Sequence, residues 1–330
     1  HPERPDRVRD VMAVLENSGI LEELKRLPVQ PATRAQLERV HDARYLDTVE
    51  RIIAGGGGYL DAGDTVASPG SWCAATAAAG AAIGAVDAVM STDVDAAFAL
   101  VRPPGHHATP TQAMGFCIVN NAAAAAAHAI AKHGLSRVLL VDFDVHHGNG
   151  TQDAFYEDPR VLYVSTHQSP AYPGTGRANE TGSGPGAGFT VNIPLPPDVG
   201  DEGFSQAFDT VLAPLADRFR PELVLVSAGY DAHWRNSAYV AGIHERMTVQ
   251  GLAQLSARLQ ALADTHCPGR LVGVLEGGYD LDALAYGVLA TLRIWQGKTE
   301  VDDPIGPPPN SVDAPDITPL LSRIRRQHGL

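Results

Sequence analysis

The amino-acid sequence predicts an α/β fold, a three-layer α/β/α single domain with a mostly parallel sheet. Six short, nearly continuous apolar runs are typical of strands that are buried on both faces, as in parallel sheets. Stretches of helical length separate these runs, and this β-α-β alternation is typical of three-layer domains. The 330 residues are 44% hydrophobic and 19% charged, which suffices for a large core and excludes a disordered, highly charged chain.

The predicted strands and helices follow one another along most of the chain. The apolar runs assigned to strands are residues 96–103, 137–144, 161–166, 189–195, 222–231 and 271–280. The stretches assigned to helices are residues 71–90, 120–133, 203–219, 247–264 and 281–296. In folds of this class ligands bind beyond the carboxyl ends of the strands, so polar residues that directly follow a strand form the candidate site.

The two ends of the chain carry separate expectations. Residues 301–316 are rich in proline and aspartate and predict an extended surface segment, and residues 317–330 predict a short basic helix. We therefore expect residues 1–300 to form the folded domain and residues 301–330 to form a tail whose helix packs on the domain or extends from it. Because the sequence opens on His1 rather than methionine, we expect residues to be missing upstream.

Charge and cysteine content restrict the partners and the compartment. With 25 Lys and Arg against 38 Asp and Glu the net charge is −13, which disfavours sequence-independent nucleic-acid binding and favours cationic partners. Cys73, Cys117 and Cys267 form neither a disulfide framework nor a metal motif, which predicts a reduced, cytoplasmic setting. We expect no membrane span or signal peptide, and the glycine-rich stretches 55–58 and 182–188 match no phosphate-binding motif.

The most informative motif is VDFDVHHGNG at residues 141–150. Asp142, Asp144 and His146 alternate at the end of a predicted strand, and a period of two places them on one face. A carboxylate and an imidazole two residues apart can bind one metal ion. The same pattern also fits a strand that ends in an ordinary hydrogen-bonded polar turn, so the motif alone leaves both interpretations open.

A second motif, SAGYDAHW at residues 227–234, places Asp231 after another apolar strand. A buried carboxylate must be paired or metal-bound, although an aspartate that caps a helix is a common alternative. Together with Asp144 and His146, Asp231 would complete three nitrogen and oxygen ligands. Three protein ligands leave an open position, which is the arrangement of a catalytic zinc ion.

Two further strand ends carry candidate catalytic groups. The segment RPPGHHA (102–108) presents His106 and His107 after a stiff Pro-Pro-Gly turn, which favours general acid–base chemistry over packing. The segment LEGGYD (275–280) places Tyr279 where its hydroxyl could donate a hydrogen bond to a developing oxyanion. Taken alone, the segment favours a Tyr279 ring that simply packs over the Gly-Gly turn.

These segments, with GFCIVNNAA at 115–123 and HPERPDR at the start, occur in the order seen in the zinc-dependent histone deacetylases. That family has the arginase/deacetylase fold and includes the acetylpolyamine amidohydrolases. The resemblance covers residues 1–296, and Asn149 in HHGNG is similar to the class II and bacterial branches. It implies that one zinc ion and activated water hydrolyse an acetylated amine to acetate and free amine.

The resemblance also implies the roles of individual residues. It makes Asp144, His146 and Asp231 the zinc ligands, and it makes His107 the principal general base and then acid. It further implies that His106 is an electrostatic partner, that Asp142 orients His106, that Asn149 lies behind His107, and that Tyr279 polarises the acetyl carbonyl. A potassium site is implied at Asp142, Asp144, Ser165 and Thr166 with the backbone of His146.

The substrate channel is implied in the same way. Its predicted walls and rim are Phe116, Gly115, Tyr172, Gly277 and Asp64, and Arg7 and Cys117 are predicted beside an internal cavity. Cys117 has no expected role as a nucleophile. The substrate stays open between acetyl-lysine in a polypeptide, an acetylated polyamine and another small acylated amine, and a homo-oligomer is possible.

One segment departs from the family pattern and leaves alternatives open. Residues 232–247 should line the channel mouth, but Ala238 stands where polyamine-specific members carry a gatekeeping glutamate. Glu245 could replace that glutamate only if the loop folds back, and His233 and His244 are either rim residues or exposed bystanders. An arginase-like two-manganese enzyme is disfavoured because Gly148 and His233 occupy positions that need bridging carboxylates. An inactive acyl-lysine-binding scaffold is the alternative outside enzymes.

Overall fold

A computed structural model describes residues 1–330 of the chain. The strands are β1 (Gly58–Tyr59), β2 (Val66–Ala67), β3 (Ala96–Ala99), β4 (Val138–Asp142), β5 (Val161–Gln168), β6 (Thr190–Leu195), β7 (Leu223–Ala228) and β8 (Leu271–Leu275). Six of them form one sheet in the order β3-β8-β7-β4-β5-β6, and every pair in it is parallel. Each of the six predicted strands is therefore present, and the prediction of a mostly parallel sheet is confirmed.

Helices surround this sheet and occupy all five predicted stretches. They are α1 (Asp6–Asn17), α2 (Arg34–Leu37), α3 (Ala43–Ala54), α4 (Ser71–Met90), α5 (Asn121–His133), α6 (Asn149–Phe155), α7 (Asp201–Ala207), α8 (Ala213–Phe219), α9 (Val249–His266), α10 (Leu281–Trp295) and α11 (Thr318–Gln327). A π-helical segment, Phe208–Leu212, joins α7 to α8. The predicted helix at 203–219 is thus helical throughout.

The sheet lies between two hydrophobic clusters, which gives the three layers. Within β4, Leu139 and Val141 face the cluster that contains side chains of α1, α7, α8, α9, α10 and α11. Val138 and Leu140 face the opposite cluster, which contains side chains of α4, α5 and α6. Since alternate residues of a strand point to opposite faces and both faces are covered, every position of β4 is apolar until Asp142.

Helix α4 is the most apolar helix of the chain. By length and composition it could cross a membrane, with a mean hydropathy of 1.6 in an 18-residue window, and the expectation of no such segment overlooked it. Of that window 61% is buried inside the protein. Alanine side chains such as Ala78, Ala82 and Ala85 pack against α5 and the sheet, as in the core helix of an α/β domain.

The C-terminal segment closes over one face of the domain. Residues 301–316 contain no helix or strand, and Trp234 Nε1 donates a hydrogen bond to the carbonyl of Gly306 at 3.0 Å. Helix α11 buries Leu321 and Ile324 in the same cluster as α7 and α8. The tail therefore contacts the domain along its length.

Candidate active site

The functional side chains converge because the central strands lie side by side. Strands β8, β7 and β4 are neighbours in the sheet, and their carboxyl ends lie at the same edge. The segments that follow them carry Tyr279, Asp231 and Asp144. Parallel strands place such segments together at one edge, where α/β folds bind their ligands.

Three buried residues, Asp144, His146 and Asp231, form a group that could bind a metal ion. His146 Nδ1 lies 3.0 Å from Asp144 Oδ1 and 3.2 Å from Asp231 Oδ2. Asp231 Oδ2 is buried without a hydrogen-bond partner, even though it is so close to His146. An unpartnered carboxylate oxygen, converging with an imidazole and a second carboxylate, fits the nitrogen and oxygen ligand set of a catalytic zinc site.

Two glycines permit the carboxylates of this group to approach the backbone. A Cβ atom on Gly277 would lie 2.2 Å from Asp231 Oδ2, and the Gly277 N–H donates a hydrogen bond to Asp144 Oδ2 at 2.8 Å. A Cβ atom on Gly229 would lie 2.1 Å from Asp144 Oδ2. Gly277 was assigned to the substrate channel, whereas the structure places it against the metal-binding group. The sequence analysis did not identify the requirement at Gly229.

Burial and charge together make this group attractive to a cation. Burial raises the pKa of Asp231, and so does the neighbouring carboxylate of Asp144. Burial alone would lower the pKa of His146, but its contacts with Asp144 and Asp231 raise it to about 9. The two carboxylates thus favour a positive charge between them, which a bound metal ion supplies in place of a proton.

His106 and His107, the tandem histidines, have different partners. His106 Nδ1 lies 3.0 Å from Asp142 Oδ2, and His107 Nδ1 lies 2.8 Å from Asn149 Oδ1. The amide oxygen of Asn149 only accepts, since its Nδ2 donates to the His107 carbonyl at 3.4 Å. His107 therefore carries its proton on Nδ1, which leaves a lone pair on Nε2.

The same partners separate the protonation of the two rings. Burial would lower the pKa of His106, but the carboxylates of Asp142 and Asp144 raise it to about 10. Burial lowers the pKa of His107 well below its usual value, and the neighbouring His106 and His146 lower it further. At neutral pH His106 is charged and His107 is neutral, so His107 is the ring that can accept a proton.

Tyr279 is buried beside this pair, and its ring is held from two sides. The Phe116 ring packs against it edge-on with 6.0 Å between ring centroids, and the Arg7 guanidinium lies 5.0 Å from its centroid. Burial raises the pKa of Tyr279, so its hydroxyl keeps the proton that it can donate. Its backbone N–H donates to Asn236 Oδ1 at 2.7 Å. Asn236, which the sequence analysis missed, ties the 232–247 segment to Tyr279.

Glu276 is a second residue that the sequence analysis missed. Its Oε2 accepts hydrogen bonds from the backbone N–H groups of Gly105 at 2.6 Å and His106 at 3.1 Å. Its Oε1 accepts from Ser227 Oγ at 3.0 Å. Burial raises the pKa of Glu276 to about 7. This carboxylate joins the tandem-histidine turn to two central strands, so it fixes where the imidazole rings lie.

Arg7, in the N-terminal helix, binds the segment 276–278 that precedes Tyr279. Its Nε donates to the carbonyl of Gly278 at 2.7 Å, and its Nη2 donates to the carbonyl of Glu276. Cys117 is buried nearby, and burial raises the pKa of its thiol well above the usual value. The thiol is therefore protonated, in agreement with the expectation that it is no nucleophile.

The two aromatic side chains predicted as channel walls contact different members of the site. The Tyr172 ring lies 5.1 Å from the His107 ring and is 46% exposed, while Phe116 packs on Tyr279. A Cβ atom on Gly115 would lie 2.3 Å from His107 Cδ2, so only glycine allows the chain to pass there. Asp64 is exposed. Burial raises the pKa of the Tyr172 hydroxyl most, and the Asp64 carboxylate raises it further.

The residues predicted to bind potassium also lie together. Ser165 of β5 pairs with Asp142 of β4, and Thr166 Oγ1 lies 3.5 Å from the Asp142 carbonyl. Ser165 Oγ forms a hydrogen bond with His167 Nδ1 at 2.9 Å. The proximity is compatible with a cation at these oxygens, and the potassium site stays a prediction.

The 232–247 segment differs from its expected arrangement. His233 is fully buried and caps the short helix Trp234–Ala238 by accepting from the Arg235 N–H at 3.3 Å. It is therefore neither a rim residue nor an exposed bystander. Glu245 is 2% exposed and lies beside Val199, so it is not an accessible rim carboxylate. His244 is exposed, and its backbone N–H donates to Gln168 Oε1 at 2.7 Å.

A second Asp/His/His group, formed by Asp87, His128 and His133, lies between α4 and α5. Asp87 Oδ1 is 2.8 Å from His128 Nε2 and 2.7 Å from His133 Nε2, and Lys132 lies 3.3 Å from the other oxygen. Arg39 Nη1 donates to His128 Nδ1 at 3.2 Å, so Nε2 carries the ring proton. Because the His128 nitrogen that faces Asp87 carries a proton, it offers no lone pair to a metal ion there. This group is a hydrogen-bonded link between two helices.

Fold and site together are a three-layer α/β/α domain with a buried group of two carboxylates and an imidazole, able to bind a metal ion, where its central strands end. The model of the histone deacetylase domain matches residues 1–295. The chain is 42% identical over 299 residues to a probable deacetylase of Archaeoglobus fulgidus, with 88% of this chain and 81% of the relative covered. It is 38% identical over 307 residues to the histone deacetylase-like amidohydrolase of Pseudomonas aeruginosa, with 92% and 80% covered.

The three-dimensional comparison agrees with the sequence matches. The crystal structure of the HDA15 HD domain superimposes with a TM-score of 0.88 at 35% identity, and it covers 99% of this chain and 88% of that one. The chain belongs to the histone deacetylase family. It is thus a deacetylase, an enzyme that carries out hydrolytic deacetylation, and its family is zinc-dependent.

Proposed function

We propose that this chain hydrolyses the N-acetyl group of an acetylated amine to acetate and a free amine, with one zinc ion bound by Asp144, His146 and Asp231. The observation that carries the proposal is the pair of buried histidine rings, His106 with the Asp142 carboxylate behind it and His107 with the Asn149 amide behind it, next to this ligand group. Zinc at these ligands supplies Lewis-acid polarisation of the acyl carbonyl and acidifies water.

The tandem histidines move the proton. His107 Nε2 carries the lone pair that accepts a proton from the attacking water, because Asn149 holds the Nδ1 proton at 2.8 Å. The His106 ring, whose positive charge Asp142 stabilises, lies 4.1 Å from the His107 ring between centroids. Burial lowers the pKa of His107 most, and the charge on His106 lowers it further. That charge makes the doubly protonated His107 a strong acid, which then protonates the leaving amine.

Tyr279 and the aromatic walls act on the substrate directly. The Tyr279 hydroxyl donates a hydrogen bond to the oxygen that becomes negative when water attacks the carbonyl. Tyr172 offers an aromatic face next to His107, and Phe116 offers one next to Tyr279. An acyl-lysine or acyl-diamine stem is apolar and unbranched, so such walls can hold it without hydrogen bonds.

The rim favours a cationic substrate. The carboxylates of Asp61 and Asp64 lie close enough to Tyr172 to raise the pKa of its hydroxyl, although burial raises that pKa most. The whole chain carries a net charge of −13. Lysine-rich polypeptides and polyamines are both cationic, so charge supports either substrate.

Acetate release by the zinc-loaded protein tests the proposal. The substrates are an acetyl-lysine peptide, N8-acetylspermidine and acetylputrescine, and the controls are Tyr279→Phe and a zinc-chelating hydroxamate. Turnover of the peptide that is lost in both controls identifies a lysine deacetylase. Turnover of polyamines alone identifies an acetylpolyamine amidohydrolase. No turnover of any substrate, with zinc bound, would contradict the acetyl specificity and favour an acyl-binding scaffold.

A further inference from the structure

A hydrogen-bond chain outside the catalytic groups connects an acidic loop to the channel wall. The loop is residues 60–65, which joins β1 to β2, and the wall is Phe116. The chain runs from Asp61 to Thr65 and from Thr65 to Phe116, and we call it the Asp61–Thr65–Phe116 chain. None of the catalytic steps uses Asp61 or Thr65.

Asp61 fixes the conformation of this loop. Its Oδ1 accepts hydrogen bonds from the backbone N–H groups of Gly63 and Thr65, each at 3.0 Å. Its Oδ2 accepts from the Thr65 hydroxyl at 2.8 Å. The Leu60 N–H also donates to the Thr65 carbonyl at 2.8 Å. The loop is thus closed by hydrogen bonds from both of its ends.

Thr65 transmits this order to the wall. Its hydroxyl donates to Asp61 and accepts from the Phe116 backbone N–H at 3.0 Å, so its one proton and one lone pair are both used. Thr65 is 1% exposed, and Asp61 and Phe116 are half-buried, so both hydrogen bonds lie largely away from solvent. A buried backbone N–H that loses its acceptor is destabilised by its full desolvation.

The Phe116 N–H, which donates to the Thr65 hydroxyl, belongs to an unusual turn. Met114 and Cys117 exchange backbone hydrogen bonds across Gly115 and Phe116, whose φ angles are 55° and 68°. Positive φ at both central positions suits glycine but is unfavourable for a phenylalanine. Phe116 therefore needs an external contact to hold this conformation, and the Thr65 hydroxyl supplies one.

We propose that Asp61 and Thr65 are positioning residues that hold Phe116 as the wall of the substrate channel, an inference that rests on the proposed function. His107 and Tyr279 have separate anchors, since Asn149 Oδ1 accepts from His107 and Asn236 Oδ1 accepts from the Tyr279 N–H. The His107 ring and the Tyr279 backbone keep these anchors when the Thr65 hydroxyl is lost, so the larger displacement falls on Phe116. Loss of that hydroxyl affects substrate binding more than the chemical step.

The test compares Thr65→Val, which removes the hydroxyl at nearly constant shape, with Thr65→Ser, which keeps it. We expect Thr65→Val to raise KM for the best acetylated substrate about tenfold with kcat within about twofold, because the Phe116 N–H loses its acceptor. Thr65→Ser should keep the KM of the unsubstituted protein. Thr76→Val is the matched control, since Thr76 is a buried helical threonine whose hydroxyl donates only to carbonyls of its own helix.

Amide hydrogen exchange at Phe116 gives a readout that does not depend on turnover. Exchange should be faster in Thr65→Val than in Thr65→Ser and Thr76→Val. If Thr65→Val does not fold, Asp61→Ala should show the same faster exchange with the Thr65 side chain intact. Unchanged exchange and KM in Thr65→Val, or an equal KM rise in Thr65→Ser, would overturn the proposal. If the unsubstituted protein hydrolyses nothing, the proposed function fails while exchange still decides the role of Thr65.

Discussion

His106 and His107 are neighbours in the sequence with identical side chains, yet the groups behind them assign them different charges. The carboxylate of Asp142 lies behind His106, and the neutral amide of Asn149 lies behind His107. Both rings are buried, so solvent does not equalise them. A base must be neutral before it accepts a proton, and the uncharged partner of His107 allows this at neutral pH.

Tyr279 should contribute to the transition state and little to substrate binding. We predict that Tyr279→Phe lowers kcat roughly 10²–10³-fold with a small change in KM, because it removes one oxyanion hydrogen bond. Steady-state kinetics measure both constants. Zinc content should match the unsubstituted protein, since Tyr279 is not a ligand. A rise in KM alone, with kcat retained, would show that Tyr279 does not act in the chemical step.

The Asp144–His146–Asp231 group and the Asp87–His128–His133 group should respond differently to loss of an aspartate. We predict that Asp231→Ala weakens zinc binding by more than ~100-fold, beyond what loss of an outer-shell partner causes. Asp87→Ala is the matched control and should leave one zinc per chain, because the protons of His128 and His133 point at Asp87. Metal analysis after dialysis measures the stoichiometry, and two zinc ions per chain in the unsubstituted protein, falling to one in Asp87→Ala, would refute the assignment of the second group.

Glu245 makes stability depend on pH. Burial raises its pKa to about 9 from 4.5 in the unfolded chain, and both of its oxygens lack partners. Between these values the folded state binds more protons than the unfolded state, so stability falls as pH rises. We predict that Glu245→Gln gains roughly 3 kcal/mol over the unsubstituted protein at pH 7 relative to pH 4. Urea unfolding at both pH values measures the difference, and the exposed Glu300→Gln should show none.

Short turns and strand ends, rather than long helices, carry the chemistry at the level of elements. The turn of Met114 and Cys117 places Gly115 against His107 and Phe116 against Tyr279. Its two positive φ angles make its shape depend on glycine at the first central position. The turn thus shapes the proton acceptor and the channel wall at once.

Gly115→Ala should therefore be far more harmful than an alanine at another positive φ. Its Cβ would lie 2.3 Å from His107 Cδ2, so we predict loss of at least ~100-fold in kcat/KM or failure to fold. Gly134→Ala is the matched control, since Gly134 has a φ of 69° and no atom within 4 Å of the new Cβ. It should lose only about 1 kcal/mol of stability with normal turnover. Equal activity in the two variants would contradict the close packing.

Whole elements were predictable where both faces of a segment are covered. Strands that are buried on both faces appear in the sequence as continuous apolar runs, so they can be recognised without an alternating pattern of polar and apolar residues. The sequence analysis missed α3 although Leu46, Val49 and Ile53 repeat at helical spacing after the capping Asp42. Helix α6 was missed for a different reason. Gly150 in α6 indicates a turn as long as the close approach of its backbone to the Ala108 carbonyl is unknown.

At the scale of the molecule, the C-terminal helix joins the main hydrophobic cluster. Leu321 and Ile324 are buried with side chains of α7 and α8, and Arg325 Nη1 donates to the Thr210 carbonyl at 2.7 Å. We predict that Ile324→Ala destabilises the whole domain by about 2–5 kcal/mol in one cooperative transition. Denaturant unfolding measures it, and Val312→Ala, at an exposed tail position, should change little. Separate unfolding of the tail would support a boundary at residue 300.

The sequence by itself determined the strands, the order of the motifs and the identity of the groups at the strand ends. The prediction that Asp142, Asp144 and His146 alternate along one strand was wrong in detail, because β4 ends at Asp142 and the other two residues lie in the irregular segment that follows it. Family resemblance then named Asp231 and Tyr279 as their partners, and the structure brings these residues together.

Only the tertiary structure decided which distant residues hold that site in place. Glu276 meets the tandem-histidine turn across 170 residues, and Arg7 meets Gly278 across 271. The position of β8 between β3 and β7 creates the first contact, and no local pattern encodes the order of strands in a sheet. The burial of His233 and Glu245 was hidden for the same reason, since polar side chains in a loop look exposed until the chain packed over them is known.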